Sequence, residues 1–300
     1  MGTLVAIIDR SQKLRPHSKE LYRHAAQLFE AFAPGERTWT PATVEAWRDS
    51  MVRGRKPQTV NRYLNGIRYA SRRYEALGHG VDFARSIERL REPDRVKRKP
   101  LTREEAQALL GTCSGGSLVD LRDRALIVVG LKTGVRASWL CDLSLSGMEG
   151  RRATAEAKGG RGHTVVLDDE CLGALGAWLR AGVIGRGKVF RSIGRARMDG
   201  EQALGDGLSR QGVHAIVRNR GRAAKIRRPL HPHLFRHTYV TWSLDAGVPP
   251  HRVMAQSGHR SMAVLSGYVS DLQAESDPIG AHLGNLIENN GRGTLRPRKG

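Results

Sequence analysis

Residues 91–100 read Arg-Glu-Pro-Asp-Arg-Val-Lys-Arg-Lys-Pro, with two prolines, one aliphatic side chain and seven charged ones. A stretch so poor in apolar surface has nothing to bury, and each proline removes a backbone donor, so it neither joins a core nor continues a helix. It reads as a hinge between domains. Before it the apolar residues keep a helical spacing; after it Thr102-Arg103-Glu104-Glu105 restarts that pattern as a capping box. The chain has 300 residues and 39% hydrophobic content, enough for a core on each side. The expectation is a helical domain at 1–95, a linker at 96–100, a second domain at 101–290 and a loose basic tail at 291–300.

Fifty Lys and Arg against 29 Asp and Glu leave a formal charge of +21. The excess runs through every third of the sequence and is not confined to a tail, which argues against an enzyme of small neutral metabolites and for a polyanionic partner. Cys113, Cys141 and Cys171 are odd in number and widely spaced, so neither a disulfide framework nor a cysteine zinc site is suggested. The longest apolar run, Ala125–Leu131, is far short of the roughly 20 residues a membrane span needs. No basic segment precedes the apolar Leu4–Ile8, so a cytoplasmic protein without membrane association is expected.

Periodicity places helices at 19–31 with Ser18 as cap, at 41–53 opened by Thr40-Pro41, and at 58–77. In the last of these Val60, Leu64, Ile67, Tyr74 and Leu77 form an apolar side, while Arg62, Arg68, Arg72 and Arg73 fall mostly elsewhere and are candidates for phosphate contact; a solvated charged face is the plainer alternative. Helices follow at 102–112 and 119–132, with a helix or turn at 136–143. Two short strands, 152–157 and 163–168, flank a glycine-containing turn at Lys158-Gly159-Gly160-Arg161. Helices resume at 169–181, 209–219, 233–246, 250–256 and 277–289.

The densest chemistry lies in His231-Pro232-His233-Leu234-Phe235-Arg236-His237. His233 and Arg236 are three apart near a helix start, an arrangement suited to a phosphate. Hydrogen-bonded structural histidines are the plain alternative, and a metal site is a further one, though no carboxylate or cysteine is near in sequence. Farther on comes Ser257-Gly258-His259, with Tyr268 nine residues after the histidine.

Together these segments resemble the tyrosine recombinase family, the phage-integrase and Xer-type site-specific recombinases. Thr133-Gly134-Val135-Arg136 resembles its T-G-x-R element, and Lys158-Gly159 its K-G turn. His233-Leu234-Phe235-Arg236-His237 resembles H-x-x-R-H, and Gly258-His259 with Tyr268 has its G-H…Y spacing. The resemblance extends over essentially the whole chain, since the basic first third looks like the family's core-binding domain. The fold it implies is mainly α with a small antiparallel β-sheet: a helical core-binding domain plus a mixed α/β catalytic domain of the DNA breaking-rejoining type, closing around duplex DNA as a C-shaped pair. The implied reaction needs no cofactor or metal, and the implied assembly is a homotetramer on two DNA sites.

The resemblance also implies roles. Arg136 and Arg236 clamp the phosphate oxygens, Lys158 protonates the departing 5′ oxygen, His233 assists proton movement, His259 donates a hydrogen bond to phosphate, and Tyr268 is the nucleophile. Lys132 and Lys188 remain alternatives to Lys158, and Tyr239 is read as core packing. A 277–289 helix docks on a neighbouring protomer or packs within its own chain. One departure stands out: the family has an acidic residue three positions after its first arginine, and here that position is Trp139, with Asp142 a candidate substitute. Two rival readings are a topoisomerase IB-like DNA relaxing enzyme and a catalytically silent DNA-binding regulator.

Overall fold

The computed structural model describes residues 4–93, 99–156, 162–196, 202–259, 261, 262 and 265. Lys158, Tyr268, the expected 277–289 helix and the basic tail lie outside the described residues. Contacts divide the chain into two compact units, Met1–Val96 and Lys97–Gly300.

The first unit holds α1 (Leu4–Asp9), α2 (Pro16–Phe32), α3 (Pro41–Val52) and α4 (Pro57–Ala76). α1 was not expected; Leu4, Ile7 and Ile8 bury one side of it, and Glu30 accepts from the Leu4 amide at 2.6 Å. Helix α2 starts earlier than its sequence pattern suggests, at Pro16 after Arg15, so Ser18 is inside the helix and does not cap it. Proline at the first position needs no donor and brings a helical φ, which outweighs the serine signal. Thr40 caps α3 as expected, accepting from the Thr43 amide at 3.2 Å. Along α4, Val60, Leu64, Ile67 and Tyr74 are buried, whereas Leu77 is 49% exposed. The helix ends at Ala76, so Leu77 has left the apolar stripe by the time the chain reaches it. The core is aromatic at its centre, with Phe29 edge-on to Trp47 at 5.4 Å and stacked on Phe83 at 6.1 Å.

The second unit comprises α5 (Arg103–Gly111), α6 (Leu118–Thr133), α7 (Ala137–Asp142), a sheet of β1 (Met148–Glu149), β2 (Arg152–Glu156) and β3 (Gly162–Val166), then α8 (Asp169–Ala181), a two-stranded ribbon of β4 (Ile193–Ala196) and β5 (Gln202–Leu204), α9 (Arg210–Ala223), α10 (Pro232–Asp245) and α11 (Pro250–Ser257). The expected capping box opens α5: the Thr102 hydroxyl accepts from the Glu105 amide at 3.1 Å and the Glu105 carboxylate from the Thr102 amide at 3.0 Å. Strands β2 and β3 pair antiparallel with Ala155 opposite His163. Neither β1 nor the β4–β5 ribbon was foreseen; strands of two to four residues are too short to show a period.

Helix α6 is the centre of this unit. Its residues Ala125–Val129 are all buried, because other helices cover it on more than one side, and Gly130 admits α10 closely: a Cβ there would lie 2.8 Å from the Phe235 ring. Arg220 of α9 anchors the far end of α6 through Asp120 at 2.8 Å and Asp123 at 2.7 Å. The second unit is therefore a mainly helical frame with small antiparallel sheets, and the C-terminal ends of α6 and α11 together with the start of α10 position the site.

Candidate active site

Helix α6 ends on Gly134 in the left-handed region, φ 64°. The turn that follows brings Arg136 to the start of α7. Tyr239 stands directly over Gly134, where a Cβ would come within 2.5 Å of its ring. Its place as a packing residue, with the hydroxyl raised by burial, agrees with the sequence reading.

Arg236 is carried by α10 into the interior and is only 1% exposed. Its Nη1 donates to the Gly134 carbonyl at 3.0 Å and also to the Ser257 carbonyl. Its Nε donates to His259 Nε2 at 3.2 Å. Helix α11 ends at Gly258, also left-handed at φ 71°, and the Gly258 carbonyl accepts from Arg136 Nη1 at 3.3 Å. Residues far apart in sequence, Arg136, Arg236 and His259, thus meet at the C-terminal turn of α11. His233 is exposed one turn before Arg236 on α10.

Burial pushes the His259 imidazole down to about 4, and the positive Arg236, Arg136 and His233 act in the same direction. It is neutral at physiological pH, and its Nδ1 lies 2.8 Å from the Ser257 hydroxyl. That hydroxyl in turn donates to the Val253 carbonyl at 2.6 Å.

The β-sheet joins this cluster through His163. Its ring lies against Gly258, where a Cβ would come within 2.8 Å of it, and its Nε2 is 3.1 Å from the Ala255 carbonyl. Trp139 Nε1 donates to the His163 carbonyl at 2.7 Å. A cleft of about 80 Å³ is lined by Arg136, Trp139, Asp142, Glu156 and His163 with Ser138 and Ala155. Asp142 therefore borders the same cleft as Arg136, and so does a second carboxylate, Glu156, that the sequence did not single out.

Both lysine alternatives are bonded to other groups of the protein. Lys132 bridges Asp168 at 2.6 Å and Glu170 at 2.7 Å, hydrogen bonds that hold its ammonium protonated against the opposing effect of burial. Lys188 donates to the Asp142 carbonyl at 2.7 Å. In the first unit Arg62, Arg72 and Arg73 of α4 are exposed, whereas the Arg68 guanidinium donates to the Ile87 carbonyl of its own unit.

Sequence reasoning missed Ser257 and His163. Ser257 had a signal, a hydroxyl two residues before a candidate histidine; His163 looked like an ordinary strand residue.

Residues 99–275 match the model of the phage integrase family. The chain belongs to the tyrosine recombinase family, whose phage integrases these are. It is 26% identical to tyrosine recombinase XerD of Halalkalibacterium halodurans over 245 residues, 75% of this chain and 81% of that one. It is also 26% identical to tyrosine recombinase XerA of Pyrococcus furiosus over 285 residues, 92% of each. Among solved structures, a XerH site-specific recombinase bound to palindromic difH substrate superposes with TM-score 0.66 at 16% identity, covering 91% of this chain and 80% of that one. A lambda integrase dimer bound to a core site gives TM-score 0.64 at 17% identity, covering 91% and 78%. The fold of the family is thus present on both counts, sequence and shape.

Proposed function

We propose that this protein is a site-specific recombinase that cuts and rejoins duplex DNA through a covalent 3′-phosphotyrosine at Tyr268. The observation that carries the reading is the convergence of Arg136 and Arg236 on one turn, with His259 3.2 Å from Arg236. Two permanently charged forks side by side suit the nonbridging oxygens of a phosphodiester, where negative charge builds as a nucleophile attacks. Pure DNA binding does not call for a buried guanidinium aimed at a histidine.

A free phenol has a pKa of about 10, so in this mechanism Tyr268 loses its proton with help from His233 before it attacks phosphorus. The bond to the 5′ oxygen breaks, and Lys158 gives that oxygen its proton. The 3′-phosphotyrosine keeps the phosphodiester energy, so a 5′ hydroxyl of a partner strand reverses the step and releases the phenol. Arg62, Arg72 and Arg73 hold DNA backbone in the N-terminal domain, and four protomers act on two sites. The +21 charge supports a DNA partner, as do the DNA-bound integrase and XerH relatives.

The test is a suicide-substrate assay: nicked duplexes from the DNA flanking the gene, wild type against Tyr268→Phe, with covalent adduct read on denaturing gels. Adduct in the wild type and none in the variant is expected. Tight DNA binding with no adduct in either protein would favour the silent regulator, a reading to which the buried Trp139 in the acidic position lends some weight.

A further inference from the structure

We propose that Ser257 is a positioning residue that fixes His259 as its Nδ1–H tautomer, so that His259 engages a DNA phosphate only after taking up a proton at Nε2. The inference rests on the recombinase reading above and adds to it a residue and a protonation step.

The donor chain admits one arrangement. A guanidinium has protons and no lone pair to offer, so Arg236 Nε must be the donor in its 3.2 Å contact, and His259 Nε2 the acceptor. A neutral imidazole then carries its proton on Nδ1, which donates to the Ser257 hydroxyl at 2.8 Å. The hydroxyl passes its own proton on to the Val253 carbonyl at 2.6 Å. Ser257 is fully buried, so water does not take over this role, and an alkyl side chain in its place would leave Nδ1–H without an acceptor. The Ser257 carbonyl also accepts from Arg236 Nη1, so one residue orients both the arginine and the histidine.

The consequence concerns phosphate. An unprotonated Nε2 presents a lone pair, and a phosphate oxygen presents another, so the pair does not bond. If Nδ1–H stays on Ser257, His259 donates to phosphate by gaining one proton from solvent at Nε2; that proton takes the lone pair to which Arg236 Nε was donating, so the Arg236–His259 bond breaks and the Arg236 Nε–H turns to a phosphate oxygen instead. The groups that face His259 are Arg236 and His233 of α10 and Arg136 before α7, with His163 of β3 under the adjoining Gly258. Without DNA the three from α10 and α7 oppose its charging; a phosphate among them supplies the negative charge that offsets this opposition.

The tautomer is read directly by long-range 15N–1H NMR of 15N-histidine-labelled full-length protein. Protonated Nδ1 and bare Nε2 on His259 are expected in the DNA-free wild type; a protonated Nε2 there would overturn the proposal. Titration with duplex DNA is expected to protonate Nε2 while Nδ1 keeps its proton, and an unchanged imidazole in bound DNA would overturn it. The second readout is the ratio of wild-type to Ser257→Ala adduct formation, which is expected to rise about tenfold from about pH 8 to pH 6, because only with the serine must His259 take up a proton before it can donate to phosphate. Ser257→Thr, which keeps the hydroxyl, is expected to restore the wild-type profile. A flat ratio, or no restoration by a folded threonine variant, would count against it. Should the wild type form no adduct, the strand-cleavage reading fails, while the NMR titration still decides the proton uptake.

Discussion

The indole Nε1 of Trp139 donates to the backbone carbonyl of His163 across 2.7 Å, tying the first turn of α7 to strand β3. His163 in turn lies against Gly258, and Gly258 accepts from Arg136. The tryptophan that stands where the family carries an acid therefore closes a ring of contacts around the first arginine.

That ring predicts an unusual response to restoring the acid. Trp139 is 5% exposed, and a carboxylate there has no proton for the His163 carbonyl and meets it as like charge. Trp139→Phe is expected to cost about 1–2 kcal/mol from the lost bond, and Trp139→Glu at least about 3 kcal/mol from an uncompensated buried charge. Urea unfolding followed by circular dichroism measures both; a glutamate variant as stable as wild type would refute the account.

Asp142 and Glu156 border the same cleft as Arg136. If Asp142 orients that guanidinium in place of the missing acid, Asp142→Asn lowers adduct formation about tenfold with little change in melting temperature. Unchanged cleavage by Asp142→Asn would sink this role, and a loss confined to Glu156→Gln would transfer it to Glu156.

Most helices were legible from their apolar spacing or their caps, whereas α1, only six residues long, was not. In α4 the spacing of Val60, Leu64 and Ile67 carried the reading, and in α5 Thr102 and Glu105 marked the start. Arg136, Arg236 and His259 were legible as types at a spacing, and the fold brings them together. Ser257 and His163 were not, because their importance lies in contacts across 2 and 92 residues of chain, which periodicity does not encode. The bond from the Arg68 guanidinium to the Ile87 carbonyl is another contact of this kind, which the place of Arg68 beside an apolar stripe does not announce.

Gly134 combines a left-handed φ of 64° with a Tyr239 ring that a Cβ would approach to 2.5 Å. Gly116 has φ 73° but open space around it. Gly116→Ala therefore measures backbone strain alone, about 1–2 kcal/mol. Gly134→Ala should cost clearly more, since the ring must also move, and it should depress cleavage by shifting Arg136 and the Gly134 carbonyl bonded to Arg236. Equal costs for the two alanines would show that Tyr239 yields freely.

The His259 imidazole titrates at about 4 in the folded protein, lowered first by burial and then by Arg236, Arg136 and His233. In the unfolded chain it titrates near its ordinary value of about 6.5. Between those two values the unfolded state holds the proton and the folded state does not, so stability rises with pH through that window and is lost on acidification from about 6.5 towards about 4. His163, lowered mainly by burial, adds in the same direction. Melting temperature against pH should therefore fall less steeply below pH 6.5 in His259→Gln than in wild type. Parallel curves would show that His259 is not held neutral by its surroundings.

Arg136 and Arg236, the two arginines of the proposed phosphate clamp, stand in opposite environments, and lysine substitutions separate their roles. Arg136 is exposed at the start of α7, so Arg136→Lys should leave the melting temperature unchanged. Arg236 is 1% exposed, with Nη1 on the carbonyls of Gly134 and Ser257 and Nε on His259. A lysine cannot span those directions, and the carbonyls it abandons stay buried, so Arg236→Lys should destabilise by about 2–4 kcal/mol. Both variants lack the planar fork that matches two phosphate oxygens, so both should lose about a hundredfold or more in adduct formation on a nicked substrate. Loss of activity in Arg236→Lys alone would confine the phosphate clamp to α10 and leave Arg136 a contact of the Gly258 turn.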